Sequence, residues 1–189
     1  MIVQPTILIV GSTGRNIGKT EFACRVIKKN AAKNNIVGIK VIPVDKCETN
    51  CHRGDDTCGL CDSLTGDYNI IEESTADESK DTKRMFLSGA KKVYLLIVDR
   101  ELLEKGAQAM MNLIPDDAFV IIESNTLRKV IEPGLFIVIK KKTDINPKPT
   151  CAEVIDFADK IIEFDEMSWD FDPENVCIQD NRWIIKESL

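Results

Sequence analysis

The sequence predicts a three-layer α/β fold with a mostly parallel sheet, and three observations predict it. Continuous apolar runs, as strands covered on both faces require, alternate with helical patterns along the chain. The first such run, Ile7-Leu8-Ile9-Val10, passes directly into a glycine-containing turn that ends Gly18-Lys19-Thr20. The length of 189 residues fits a single domain that buries its own core.

Taken in order, Ile7 to Val10 reads as a central strand, and Gly18 to about Asn30 as the helix that follows it. Val37-Gly38-Ile39-Lys40-Val41-Ile42 reads as a second strand, halted by Pro43. From Pro43 to Asp67 the chain is rich in Cys, Asp, Gly and Thr, which favours a loop. Thr75 to Ala90 has helix-forming composition and a stop at Ser88-Gly89.

Lys92 to Asp99 then reads as a strand, Glu101 to Leu113 as a helix and Ala118 to Ser124 as a strand. Leu127 to Ile131 follows as a short helix, Leu135 to Ile139 as a strand, Cys151 to Ala158 as a helix and Lys160 to Phe164 as a strand. This alternation builds right-handed crossovers, with ligands at the carboxyl ends of the strands. Glu163 to Asn175 carries six acidic residues and no basic one, the composition of a solvated loop. Val176 to Ile185 reads as a hairpin about Asp180-Asn181.

Composition excludes several classes. Hydrophobic residues make up 43% and charged residues 30%, and no apolar run approaches the roughly 20 residues that span a bilayer. Met1 to Thr6 has no charged n-region and the apolar run after it is too short for a signal peptide, so a cytoplasmic location is expected. A net charge of -6 argues against a general nucleic-acid binder.

The turn after the first strand carries chemistry. Glycines there let backbone N–H groups converge on an anion, and the helix N-terminus adds favourable dipole charge, which makes phosphate the natural occupant. In the P-loop motif G-x-x-x-x-G-K-S/T the lysine reaches the outer phosphates and the hydroxyl ligates magnesium. Lys19 and Thr20 take those roles here, with Gly11, Ser12, Thr13, Gly14, Arg15, Asn16, Ile17 and Gly18 forming the cradle. Strict spacing asks for Gly where Thr13 stands; six residues separate Gly11 from Gly18, so a wider loop is expected. A magnesium-bound triphosphate also needs a carboxylate at the end of another strand, and both Asp99 and Glu123 end one.

Four of the seven cysteines form a cluster, Cys47, Cys51, Cys58 and Cys61, spaced C-x3-C-x6-C-x2-C. A reducing compartment disfavours disulfides, and four thiolates suit tetrahedral zinc, with an iron-sulfur cluster as the alternative. His52, the sole histidine, is adjacent and allows a site of three cysteines and one histidine. A single domain over residues 1–189 with a metal-binding loop at about 44–66 is therefore expected. Cys24, Cys151 and Cys177 fall in helices or strands and read as small buried hydrophobes.

Three blocks together resemble the molybdopterin-guanine dinucleotide biosynthesis B family, a P-loop branch related to dethiobiotin synthetase. They are the N-terminal loop, the stretch Lys80-Asp81-Thr82-Lys83-Arg84 closing with Gly89-Ala90, and Glu123 at a strand end followed by Pro133 before the next strand. Ser124-Asn125 replaces that family's Gly, and Val41-Ile42-Pro43 replaces its Lys-His segment. The resemblance implies magnesium with GTP, a role beside molybdenum-cofactor guanylylation, and a molybdenum-cofactor enzyme as partner. It selects Glu123 over Asp99 for the magnesium side and adds Asp45 as a third member.

Lys140-Lys141-Lys142-Thr143-Asp144 resembles the guanine reader of GTPases, with Asp144 accepting the ring N–H and amino hydrogens. GTP is thus expected ahead of ATP. The functional expectation is a Mg-nucleotide-binding accessory protein or slow nucleoside triphosphatase, with Lys19 and Glu123 as its catalytic groups and Arg15 as added charge near the terminal phosphate. The alternatives are a ligase or kinase like dethiobiotin synthetase, with a carboxylate pocket near Lys40, and a nucleotide-controlled metal or redox switch. Self-association as a homodimer is left open by the sequence.

Overall fold

Side-chain alternation along the first strand decides the layering. In β1 (Ile2–Ser12) Ile7 and Ile9 enter the core on one side of the sheet, while Leu8 and Val10 enter the core on the other. All four are at most 1% exposed, so β1 is covered on both faces. The computed structural model describes residues 1–45, 64–73, 81–143 and 146–186.

The chain continues through α1 (Lys19–Asn30), β2 (Ile36–Val44), β3 (Tyr68–Glu72), α2 (Asp81–Leu87), β4 (Lys92–Asp99), α3 (Leu103–Met111), β5 (Phe119–Glu123), β6 (Ile131–Lys141), α4 (Pro149–Ala152), β7 (Lys160–Phe164), β8 (Val176–Gln179) and β9 (Arg182–Ile185). Seven strands form one sheet in the order β3-β4-β2-β5-β1-β6-β7. All its pairs are parallel except β3 with β4. The strand β1 lies between β5 and β6; the chain leaves β1 toward β2 on one side and passes from β5 across to β6 on the other. The carboxyl end of β1 is therefore the switch point at which open α/β sheets take their ligands.

Helices α1 and α2 supply Phe22, Val26, Ile27 and Met85 to one face; α3 supplies Leu103, Ala107 and Met110 to the other. The expected α/β architecture and the C-terminal hairpin are both present, with differences that have local causes. The β2 strand runs through Pro43 because β5 ends level with Lys40. Beyond that point β2 has β4 as its one described neighbour, and an edge tolerates a missing N–H. Strand β3 is not signalled in the sequence, since an edge strand with no fully buried residue has little apolar pattern.

The helix read from Glu101 begins instead as a 3-10 turn over Arg100–Leu102, capped by Asp99 accepting from the Glu101 N–H at 3.1 Å. Those read at Leu127 and Cys151 shrink to 3-10 turns at Thr126–Lys129 and Ile155–Phe157 around the short α4. Residues 75–80 of the helix read over Thr75 to Ala90 lie outside the described residues, and α2 occupies Asp81–Leu87 of the remainder. The acidic segment 163–175 is not simply a solvated loop. Its Trp169 and Phe171 rings pack on Phe22 of α1, with centroids 5.6 and 6.5 Å away.

The hairpin β8-β9 turns at Asp180 and Asn181, both with positive φ (49° and 58°), the mirror-image turn that suits the strand twist. It is bolted to the core. Trp183, 1% exposed, meets Phe119 edge-on at 6.0 Å and donates its indole N–H to the Thr6 carbonyl at 2.9 Å. Asn30 of α1 donates to the Val176 carbonyl at 3.2 Å. Replacing Trp183 by Ala is expected to cost about 3–5 kcal/mol of stability, and by Phe about 1–2 kcal/mol, in urea unfolding followed by circular dichroism. A loss below about 1 kcal/mol for Trp183→Ala would mean that the hairpin lies outside the cooperative core.

Candidate functional site

The turn leaving β1 is held by its neighbours on both sides. Asn125, just past β5, accepts from the Ser12 N–H at 2.7 Å and donates to the Ser12 carbonyl at 2.9 Å. The same amide leaves no room for a side chain at Gly11, where a Cβ would sit 2.6 Å from Asn125 Oδ1 and 3.1 Å from the Phe136 ring. Thr13 occupies the place of the motif's first glycine and is stitched to the β6 side. Its N–H donates to the Ile139 carbonyl at 2.9 Å, its carbonyl accepts from the Lys148 N–H at 2.9 Å, and its hydroxyl accepts from the Lys141 N–H at 3.3 Å.

The two extra residues of the loop bulge outward: Arg15 and Asn16 are exposed, Asn16 in the left-handed region at φ 55°, before Ile17 returns to the core. Gly18 enters α1 at φ 73°, a conformation that disfavours a side chain. A Cβ there would also lie 3.1 Å from the Trp169 ring.

At the start of α1 the polar groups converge. The Thr20 hydroxyl donates to Glu123 Oε2 at 2.9 Å, and the Lys19 ammonium is 3.3 Å from Glu123 Oε1. Parallel register places Val10 beside Glu123 and Lys40 beside it on the other side, so the carboxylate ends β5 between the two lysine-bearing elements. Lys40 lies 3.9 Å from Glu123 Oε1 and pairs closely with Asp81, the first residue of α2. Burial pushes the Asp81 carboxyl up, but the Lys40 hydrogen bond and charge, with help from the Thr20 hydroxyl, outweigh it and hold the carboxyl below its usual range. The hard oxygens of Thr20 and Glu123 are a donor set of the kind magnesium uses, one or two carboxylates with the rest left to water and phosphate.

Of the residues expected at the site, Gly11 to Thr20 and Glu123 are brought together. Asp99 is on β4, three strands from β1, and serves as a cap. The structure does not bring Asp45 to this group. It lies five residues past Lys40, roughly 16 Å at the rise of a strand, and holds Arg100 in a two-pronged contact at 2.6 and 3.1 Å. Asp144, Lys80, His52 and the cysteines 47, 51, 58 and 61 lie outside the described residues. Among the described residues no three His, Cys, Asp or Glu side chains form a metal-binding group.

The sequence reading assigned no role to Asn125, Asp81, Trp169 or Lys148. Lys40 carried a signal, as the one charge in the apolar run Val37 to Ile42. Cys24, Cys151 and Cys177 are buried free thiols; burial pushes Cys24 and Cys151 up, away from the reactive thiolate. No described helix is long and apolar enough to cross a membrane.

Neither a protein-family model nor a curated protein matches the chain. Among solved structures, the crystal structure of the "apo" form of LpxK from Aquifex aeolicus in complex with ATP is similar, with a TM-score of 0.52 and 14% identity. The match covers 88% of this chain and 50% of LpxK, so the chain spans half the length of that protein. At this identity the likeness is one of fold, and it is the α/β fold that the strand order describes.

Proposed function

We propose that the chain binds a magnesium nucleoside triphosphate on residues 11–20 and hydrolyses or transfers its terminal phosphoryl group. The observation that carries this reading is the convergence of Lys19, Thr20 and Glu123 where a helix N-terminus meets the end of a neighbouring strand. Magnesium, when bound, neutralises charge on the phosphate oxygens. Thr20 and Glu123 would hold it, with Asp81 beside them.

The residues of the chain do the positioning. Lys19 and Glu123 form an ion pair at 3.3 Å, and an arriving phosphate would compete with Glu123 for the ammonium. The N–H groups at the start of α1 face the anion with the helix dipole behind them. Arg15, exposed on the bulge, is free to close over the phosphate. Catalysis then rests on charge placed before the reaction begins.

The Lys140–Asp144 stretch supports guanine, and the ATP seen with LpxK supports adenine as the alternative. The blocks at Lys80–Ala90 and Glu123 carry the resemblance to molybdenum-cofactor accessory proteins and make an enzyme of that cofactor the partner to test. A carboxylate substrate at Lys40 is less favoured, because Asp81 and Glu123 already balance that ammonium. The cysteine spacing supports zinc at Cys47, Cys51, Cys58 and Cys61.

Calorimetric titration of ATP and GTP with magnesium tests the central reading. Wild type is expected to bind at least one of them, and Lys19→Ala to lower turnover about a hundredfold. Failure of wild type to bind either would sink the proposal. Thr20→Ala is expected to retain nucleotide binding without magnesium and to lose most of the gain that magnesium brings; an unchanged magnesium response would remove Thr20 from the metal. Elemental analysis after anaerobic purification is expected to find zinc at about one per chain. Iron with sulfide would replace zinc by a cluster, and no metal would leave the thiols free.

A further inference from the structure

Lys148 lies against the loop 11–20, and among the described residues no anion pairs with it. Its backbone is fixed on three sides: the N–H donates to the Thr13 carbonyl at 2.9 Å, and its own carbonyl accepts from Cys151 and Ala152 at 2.8 and 3.1 Å. The flanking Pro147 and Pro149 restrict the chain further, and Lys148 has the extended φ and ψ (-55° and 148°) that a following proline imposes. The side chain is partly buried, and among the described residues no carboxylate lies within ion-pair distance of its ammonium. The described charges that act on it are Lys19 and, more weakly, Arg15, which repel it, and Glu123, which attracts it but whose oxygens are already engaged by Lys19 and Thr20. A partly desolvated cation on a fixed backbone, repelled by a second cation, is unfavourable unless an anion joins it.

We infer that Lys148 is a further phosphate-binding cation, supplied to the loop 11–20 from outside it by the connection between β6 and α4, and that it meets the phosphate chain together with Lys19 and Arg15. This rests on the nucleotide reading above and adds to it a residue that no P-loop motif contains. Phosphate binding becomes linked to a proton through this residue. Burial, then the charge of Lys19, push the Lys148 ammonium down to about 8, with a smaller push from Arg15, while Cys151 and Glu123 pull the other way. A bound phosphate favours the charged form, so above pH 8 binding must take up a proton and affinity falls as pH rises, by up to about tenfold per pH unit.

The test is calorimetric titration of ATP with magnesium, from pH 7.5 to 9.5, onto wild type, Lys148→Met and Lys148→Arg, with Lys19→Ala in parallel. Lys148→Met is expected to bind about tenfold more weakly at pH 7.5. Lys148→Arg, which stays charged throughout, is expected to bind within about threefold of wild type at pH 7.5 and to lose the fall in affinity above pH 8. Tripolyphosphate in place of ATP is expected to repeat the pattern, because the contact is to phosphate and not to base or sugar.

If wild type binds ATP, Lys19→Ala weakens it and Lys148→Met matches wild type in affinity and slope, the role of Lys148 is overturned and the P-loop reading stands. If wild type binds neither ATP nor tripolyphosphate, both fall. Should Lys148→Met fail to fold by circular dichroism, the wild-type slope and its persistence in Lys148→Arg still decide: a slope shared by the two, or absent from wild type, overturns the inference.

Discussion

The site depends on how β1 leaves the sheet. A central strand whose turn must pass between two neighbours has its backbone polar groups buried at the exit, and unsatisfied groups there are costly. Asn125 meets that demand by bonding to both the N–H and the carbonyl of Ser12, and Thr13 continues the pairing onto Ile139 of β6. The amide that does this also excludes a side chain at Gly11. The first glycine of the loop is thus required by a residue more than a hundred positions away, and the cradle is shaped before any ligand arrives.

Charge is arranged with similar economy around β5. Lys19, Lys40 and Thr20 all reach the carboxylate of Glu123, and Asp81 balances Lys40 from α2. Two carboxylates and two ammonium groups with a hydroxyl form a nearly neutral network that is held at low exposure because each member has a partner. Lys148, which has no ion-pair partner among the described residues, and the exposed Arg15 add positive charge on the loop side.

The aromatic residues connect this polar site to the rest of the fold. Trp169 lies over Gly18 at the entry to α1, meets Phe22 edge-on at 5.6 Å, lies tilted against Phe164 at 5.9 Å, and carries Arg25 on its face at 5.0 Å. Lys141, whose backbone N–H holds Thr13, reaches Glu166 in the same segment at 2.5 Å. The acidic segment after β7 is therefore part of the wall behind the phosphate loop, and its acidic residues face outward around an apolar anchor.

The sequence by itself determined the elements whose signal is local. Strands covered on both faces, such as Ile7 to Val10 and Val93 to Val98, need continuous apolar runs, the turn Asp180-Asn181 needs residues that accept positive φ, and Gly18-Lys19-Thr20 marks a turn from strand to helix. Glu123 was legible as a strand-ending carboxylate, as was Asp99; the strand order, which the sequence does not show, puts β5 beside β1 and β4 two positions further away. Tertiary structure alone decided the edge strand β3, the separation of Asp45 from the site, the clamp by Asn125, the placement of Trp169 on Gly18 and the approach of Lys148 to Thr13. The physical reason is common to all of these: each depends on which distant segment the sheet brings alongside, and a single side chain in a loop leaves no periodic trace of the neighbour it will meet.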